Sequence, residues 1–241
     1  MAILFISDLH LSEKEPSITV SFLHFLREQA SQAKALYILG DFFDYWIGDD
    51  DPSLLLKLIV QELKELKSEG VSCYFIHGNR DFLLGKKFAK ESGMILLPSE
   101  KALTLYGHNI LILHGDTLCT DDISYQRYRK RVYNRWLQKL FLALPLSTRH
   151  RIAERIRKNS QSATRLKPEF ITDVNKQIVI EKFRKHQVDW IIHGHTHRPA
   201  THEVNVNGKI LYRAVLGAWD QNGSMIKITP KTIELFYFPF Y

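Results

Sequence analysis

Five apolar runs in this chain stop abruptly, and each stops in residue types that bind metal. Ile3-Leu4-Phe5-Ile6 leads into Asp8-Leu9-His10, Leu36-Tyr37-Ile38-Leu39 into Gly40-Asp41 with Asp44 beyond, and Cys73-Tyr74-Phe75-Ile76 into Gly78-Asn79-Arg80-Asp81. Ile110-Leu111-Ile112-Leu113 leads into His114-Gly115-Asp116, and Trp190-Ile191-Ile192 into Gly194-His195-Thr196-His197. A short apolar run bounded by glycine reads as a buried strand, and in an open α/β sheet the groups just past a strand's C-terminal end are offered to a ligand. One such ending is ordinary loop decoration. Five, each directly after a strand, form a constellation with Asp41 near its middle.

The segments between these runs complete an α/β pattern. Pro16-Ser17-Ile18 opens a helix with Ile18, Phe22, Phe25 and Leu26 at near-helical spacing. A second helix is expected over 53–69, closed by Gly70, and a short third over 85–92, stopped by Gly93. Strands at 102–106 and 109–113 flank a turn at Gly107-His108-Asn109. Alternating strand and helix predicts parallel pairing, with this hairpin added at the end. Helix is expected again over 169–186. The last quarter, with short alternating runs and turns at Asn207-Gly208 and Asn222-Gly223, reads as antiparallel sheet.

Composition matters mainly through its distribution. The 241 residues, 45% hydrophobic and 24% charged, suit one globular domain with an insertion. Of the net charge of +7, the segment 123–168 carries +12, from thirteen Lys or Arg against the single acid Glu154, which leaves −5 for the rest. Within it two helices are expected, over 123–140 and 146–159, and Trp136-Leu137-Gln138-Lys139-Leu140-Phe141-Leu142-Ala143-Leu144 is strongly apolar among the cations. Such a break in an α/β pattern predicts a helical cap at 123–168, inserted into a core of 1–122 and 169–241. Two cysteines, Cys73 and Cys119, both in or beside apolar runs, point to no disulfide framework and to a reducing cytosol. The apolar N-terminal run is too short for a signal-peptide core, and no run approaches the ~20 apolar residues of a spanning helix. The expectation is a soluble or peripheral protein.

Aspartate and asparagine oxygens with imidazole nitrogens, and no thiolate, suit a six-coordinate ion such as Mn²⁺ better than structural zinc. Two ions about 3.5 to 4 Å apart, bridged by one carboxylate, polarise both sides of an in-line phosphoryl displacement and acidify a bound water. Asp41 is the expected bridge. His24, His108, His150, His186 and His202 lack placement after a strand and read as surface residues. His77 and His193 directly precede the motif glycines and read as packing groups or as groups that orient the ligands.

Together, Asp8-x-His10, Gly40-Asp41-x-x-Asp44, Gly78-Asn79-Arg80-Asp81, His114-Gly115-Asp116 and Gly194-His195-Thr196-His197 resemble the calcineurin-like metallophosphoesterase superfamily, in its order and across most of the chain. The resemblance implies a β-sandwich of mixed sheets flanked by helices. Arg80 stands where the superfamily commonly has a catalytic histidine. That departure, the Tyr45-Trp46-Ile47-Gly48-Asp49-Asp50 segment, Asp116-Thr117-Leu118-Cys119-Thr120-Asp121-Asp122 and the basic insert resemble the branch acting on UDP-2,3-diacylglucosamine in lipid A synthesis. By that resemblance one Mn²⁺ is held by Asp8, His10, Asp41 and His197, and a second by Asp41, Asn79, His114 and His195. Catalytic roles then fall to Arg80, Asp41, Asn79 and His195, and substrate contacts to Asn79, Arg80, Asp122, Ser160, Thr164, Lys167 and His195. Thr164 departs from the amide side chain expected there. The implied reaction is attack of water on the UMP-side phosphorus, releasing UMP and 2,3-diacylglucosamine 1-phosphate.

Arg80 brings a fixed positive fork suited to phosphate oxygens, and its alternative is an ion pair with Asp81 or another carboxylate. The insert joins cations to an apolar wall, as a diacylated sugar nucleotide demands, and the same features suit an anionic membrane surface. The expected location is cytoplasmic, peripheral on the inner face of the bacterial inner membrane, and the expected working unit is a monomer. A nuclease or other phosphodiesterase is the rival reading, because +12 on a helical insert could track a phosphate backbone. Its apolar residues are mostly aliphatic, however, where single-strand binders use stacking aromatics, so no nucleic-acid partner is expected. A third reading, a protein-binding scaffold that has lost its metals, conflicts with the complete ligand set.

Overall fold

The computed structural model describes residues 1–165 and 168–240. The strands β1 (Ala2–Ile6), β2 (Ala33–Ile38), β3 (Ser72–Phe75) and β4 (Ile95–Leu96) pair in parallel in that order. β5 (Glu100–Leu105), β6 (His108–Leu113), β7 (Trp190–His193), β8 (Ala200–Val206) and β9 (Lys209–Val215) build a second sheet in the order β5-β6-β7-β9-β8. β10 (Asn222–Ile228) and β11 (Ile233–Pro239) return to the first sheet and extend it antiparallel from β1.

Strand periodicity explains how the sheets stack. Successive side chains of a strand point to opposite faces, so a strand apolar at every position serves two cores. Ile3 and Phe5 of β1, with Ala35 and Tyr37 of β2, face Ile110, Ile112 and Ile192 of the other sheet and fill the layer between the sheets. Their alternates Leu4, Ile6, Leu36 and Ile38 face the helices α1 (Pro16–Glu28) and α2 (Leu54–Ser68) through Phe22, Phe25, Ile59 and Leu63. On the far side, Leu111, Leu113 and Ile191 pack against Val179 and Phe183 of a helix over Lys176–His186. The sandwich flanked by helices follows from this double use of each strand.

Several boundaries differ from the sequence expectation for local reasons. The hairpin joining β5 and β6 opens the second sheet instead of extending the parallel one, and its turn falls at Tyr106-Gly107. α3 (Lys86–Ser92) ends at Gly93 in the left-handed conformation, as expected. The insert holds three helices where two were expected: α4 (Ile123–Val132), α5 (Arg135–Leu142) and α6 (Leu146–Arg165). The Asn134 side chain accepts from the Trp136 and Leu137 amides, so a cap starts a new helix inside what reads as one. The helix expected over 169–186 likewise divides into α7 (Glu169–Thr172) and α8 (Lys176–His186), with Asn175 as the second cap. Asn222-Gly223 is no turn: it opens β10, where a Cβ on Gly223 would collide with the Phe238 ring across the ladder. β9 runs antiparallel to β8 but parallel to β7, so the C-terminal quarter is mixed.

Candidate metal centre

The parallel neighbours β1, β2 and β3 deliver Asp8, Asp41 and Asn79 to one edge of the sandwich, and β6 and β7 deliver His114 and His195 to the same edge. The backbone there is held in an uncommon state. Asp8, His10, Asp41, His195 and His197 all have positive φ, between 50° and 68°. Left-handed backbone costs a non-glycine residue free energy and persists only where its surroundings impose it. Cross-links between the loops impose it here: Asp8 N donates to Gly40 O at 3.1 Å, His10 N to Asp41 O at 3.0 Å and Gly194 N to His114 O at 2.8 Å. Gly40, at φ +87°, lies so close to Gly78 that a side chain would strike its backbone.

The candidate ligands converge. Oxygen or nitrogen atoms of Asp8, His10 and His197 lie within 4.8 Å of one another, and so do those of Asp8, Asp41 and His114. His114 Nε2 stands 2.9 Å from Asn79 Oδ1, 3.2 Å from His195 Nδ1 and 3.6 Å from Asp41 Oδ1. His114 Nδ1 meets the Leu39 carbonyl at 2.8 Å, and since a carbonyl only accepts, Nδ1 carries a proton and Nε2 is the atom that would ligate a metal, giving up its own proton to it. Asp8 belongs to both groups, and Asp41 adjoins it in the second.

Burial opposes charge at every one of these groups. It raises Asp41 above the usual carboxylate range, and it lowers His195 to about 3. Burial would also lower His114, but Asp41, Asp8 and Asp116 outweigh it and hold that imidazole at about 9. Asp8 moves down despite burial, through its hydrogen bond to His197 and the surrounding imidazoles. Asp8 Oδ1 is buried with nothing closer than His197 Nε2 at 3.3 Å, and His10 Nδ1 is buried without a hydrogen-bond partner. Two enclosed carboxylates, facing lone pairs and orphaned polar atoms are what divalent cations satisfy, so the donor set fits a pair of them.

The other acidic motif residues act as braces. Asp81, fully buried, accepts from Gly78 N at 2.8 Å and Phe42 N at 2.7 Å, tying two ligand loops together. It does not pair with Arg80. The Arg80 side chain faces Asp41 instead, with Nε 4.0 Å from Oδ2 and no hydrogen-bond partner. Asp116 accepts from Tyr125 Oη at 2.8 Å and Arg129 Nε at 2.5 Å, and Tyr133 Oη donates to Gly78 O at 3.1 Å, so α4 is fastened to the ligand loops. Asp122 caps α4 through the Tyr125 amide. Asp44 holds Arg157 of α6 at 2.6 Å. His193 is buried between Gly194 O and Arg213, and His77 contacts Leu84 O.

Asp41, Asn79, Arg80, Asp122, Ser160, His195 and His197 line a cleft of about 730 Å³. Lys167 lies outside the described residues, as does the side chain of Thr164. Sequence reasoning missed Tyr125, Tyr128 and Arg198, which also line the cleft. The 125/128 spacing marks one helix face and was the available signal. Beyond Arg80 an apolar cavity of about 250 Å³ opens, walled by Phe82, Leu83, Val132, Leu137, Phe141 and Ile156 and sharing Asn79, Arg80 and Tyr128 with the cleft.

Residues 1–199 match the family model described as calcineurin-like phosphoesterase. The chain is 65% identical over 240 residues to a protein of Photorhabdus laumondii named UDP-2,3-diacylglucosamine hydrolase, covering all of both chains. It is 63% identical to the protein of that name from Proteus mirabilis, again over the whole of each, and 58% identical to that of Salmonella arizonae, over 99% of this chain and all of the other.

Proposed function

The chain belongs to the calcineurin-like phosphoesterase family, and we propose that it hydrolyses the pyrophosphate of UDP-2,3-diacylglucosamine, giving UMP and 2,3-diacylglucosamine 1-phosphate in lipid A biosynthesis. The observation that carries this reading is the apolar cavity joined to the metal cleft at Arg80. A simple phosphodiesterase has no use for an apolar chamber beside its metals. A diacylated substrate does, because each buried methylene contributes about 0.8 kcal/mol. The names of the relatives point to the same substrate.

Asp8, His10, Asp41, Asn79, His114, His195 and His197 would hold two divalent ions, which we read as Mn²⁺ from the oxygen and imidazole donors. When bound, such ions polarise phosphate oxygens and acidify a water at neutral pH. The chain's own groups do the rest. Arg80, its side chain only 18% exposed at the junction, supplies donors to the bridging phosphates and to the charge that develops on them during attack at the UMP-side phosphorus. Asp122 and Ser160 line the cleft, which supports our assigning them to the glucosamine, and we assign Thr164 and Lys167 substrate contacts as well. Tyr125 and Tyr128 of α4 and Ile156 and Ser160 of α6 wall the cleft from the side of the cap.

Among the described residues no helix is long and apolar enough to cross a membrane. Trp136 and Leu140 of α5 are 75% and 66% exposed, next in sequence to Arg135 and Lys139, which supports a cap resting on the anionic inner face of the inner membrane. Nucleic acid is the weaker reading: three of the insert's cations, Arg129, Arg149 and Arg157, are taken up by Asp116, Asp50 and Asp44, and an apolar cavity adjoins the cleft. Release of UMP from UDP-2,3-diacylglucosamine by metal-free protein given Mn²⁺, Mg²⁺ or Zn²⁺ in turn tests the reading. Turnover greatest with Mn²⁺ is the expected result. Activity confined to DNA or simple diesters would overturn it.

A further inference from the structure

The metal cleft opens into a second side chamber, and its chemistry is the reverse of the first. Thr196 and Arg198 line the cleft and also a cavity of about 230 Å³ walled by Asp173, Pro199, His202 and Arg213. None of these residues touches the apolar cavity beyond Arg80. We propose that this chamber seats the uridine of the substrate, an assignment that rests on the pyrophosphohydrolase reading above.

The first reason is connectivity. The reacting phosphates must lie at the metal ligands, and the acyl chains have their apolar wall on the Arg80 side. The nucleoside hangs from the opposite end of the pyrophosphate, so it leaves the cleft where His197 and Arg198 stand. The second reason is the match of polar groups. A ribose offers two hydroxyls and uracil two carbonyls and an imide N–H. Asp173 presents a carboxylate 3.3 Å from Arg198 Nη1, able to accept from hydroxyls. Arg213 is 8% exposed and immobilised, with Nη1 donating to His193 Nε2 at 3.0 Å, so its guanidinium forms a fixed donor floor for base carbonyls. Pro199 supplies an apolar wall for the face of the ring. Thr196 Oγ1, where the two cavities meet, is buried without a hydrogen-bond partner, and such a group is ordinarily satisfied by something bound.

Inhibition of the Mn²⁺-loaded full-length protein by UMP and by inorganic phosphate separates nucleoside binding from phosphate binding. Asp173→Ala and His202→Ala, both outside the metal-ligand set, are expected to weaken UMP inhibition about tenfold, the loss of one or two hydrogen bonds, with phosphate inhibition unchanged. Equal weakening of both inhibitors, or of neither, would overturn the assignment. Photocrosslinking with 4-thiouridine 5′-monophosphate decides independently of any variant. Label in the 196–202 peptide is expected, and label confined to α4–α6 would place the base under the cap and sink the proposal. If the wild-type protein crosslinks there but does not hydrolyse UDP-2,3-diacylglucosamine, the functional reading fails and the nucleoside site stands.

Discussion

Arg80 joins the two halves of the site. Its backbone amide donates to Asp41 Oδ1 at 2.8 Å, a bond any residue could make, while its side chain lines both the metal cleft and the apolar cavity. Arg80→Ala should therefore leave the Asp41 loop in place yet lower turnover by about 100-fold or more, the cost of one oxyanion-type donor. Lysine should restore little of that, lacking the planar fork; steady-state rates with an unchanged melting temperature decide it, and a wild-type rate in Arg80→Ala would make the residue structural. His193 gives a pH prediction. Burial and then Arg213 lower it to about 3 in the fold, against about 6.5 in an unfolded chain. Between those values the unfolded chain takes up a proton that the fold refuses, so this contribution to stability is complete above pH 6.5 and fades as the pH falls towards 3. In the metal-free protein His193→Gln should flatten the acid limb by up to about 1.4 kcal/mol per pH unit. Urea titrations at pH 5 and pH 6.5 showing identical slopes for both proteins would count against it. The ligand types were legible in the sequence because each follows a strand end and metal chemistry restricts the choice. The bracing by Asp81 and Asp116 was not, because it depends on which amide or side chain a distant loop brings near.

Among the elements, α5 shows most clearly what a sequence leaves open. Its composition announced an apolar surface but not which side chains face inward. Leu137 and Phe141 line the cavity, whereas Leu140 points out. Leu137→Ala with Phe141→Ala should raise KM for the diacylated substrate at least tenfold, from the loss of about 1.5–3 kcal/mol per large side chain, and leave a de-acylated analogue unaffected. Leu140→Ala should spare both in detergent-dispersed assays. Equal losses on both substrates would argue that α5 only packs. α6 is fastened to the core by Arg149, which makes two bonds to Asp50 and one to the Ile47 carbonyl. Lys14–Glu154 and Asp44–Arg157 repeat the pattern along the same helix. Arg149→Ala should loosen the start of α6 and quicken tryptic cleavage after Arg151, the site that remains there. Unchanged cleavage would mean the remaining pairs suffice. The third helix of the insert escaped the sequence reading because Asn134 acts as a cap only once the chain has bent around it.

For the whole molecule, the charge asymmetry in the sequence had a structural counterpart. The basic insert is clamped on an acidic rim through Asp44, Asp50 and Asp116. Strand direction within the first sheet was legible from the alternation with helices. The division into two sheets was not, because nothing local to β5 and β6 says which partner edge they join. With the sandwich assembled, the ligand loops, Arg80 and the cap share one edge, an arrangement suited to water attacking the nucleotide side of a pyrophosphate while the lipid end is held apart. Turnover of UDP-2,3-diacylglucosamine in ¹⁸O-labelled water, read by mass spectrometry, tests that arrangement most directly. The label should appear in UMP and not in the lipid phosphate. Label in 2,3-diacylglucosamine 1-phosphate would contradict it, because attack would then come at the phosphorus that the Arg80 side of the site is built to release.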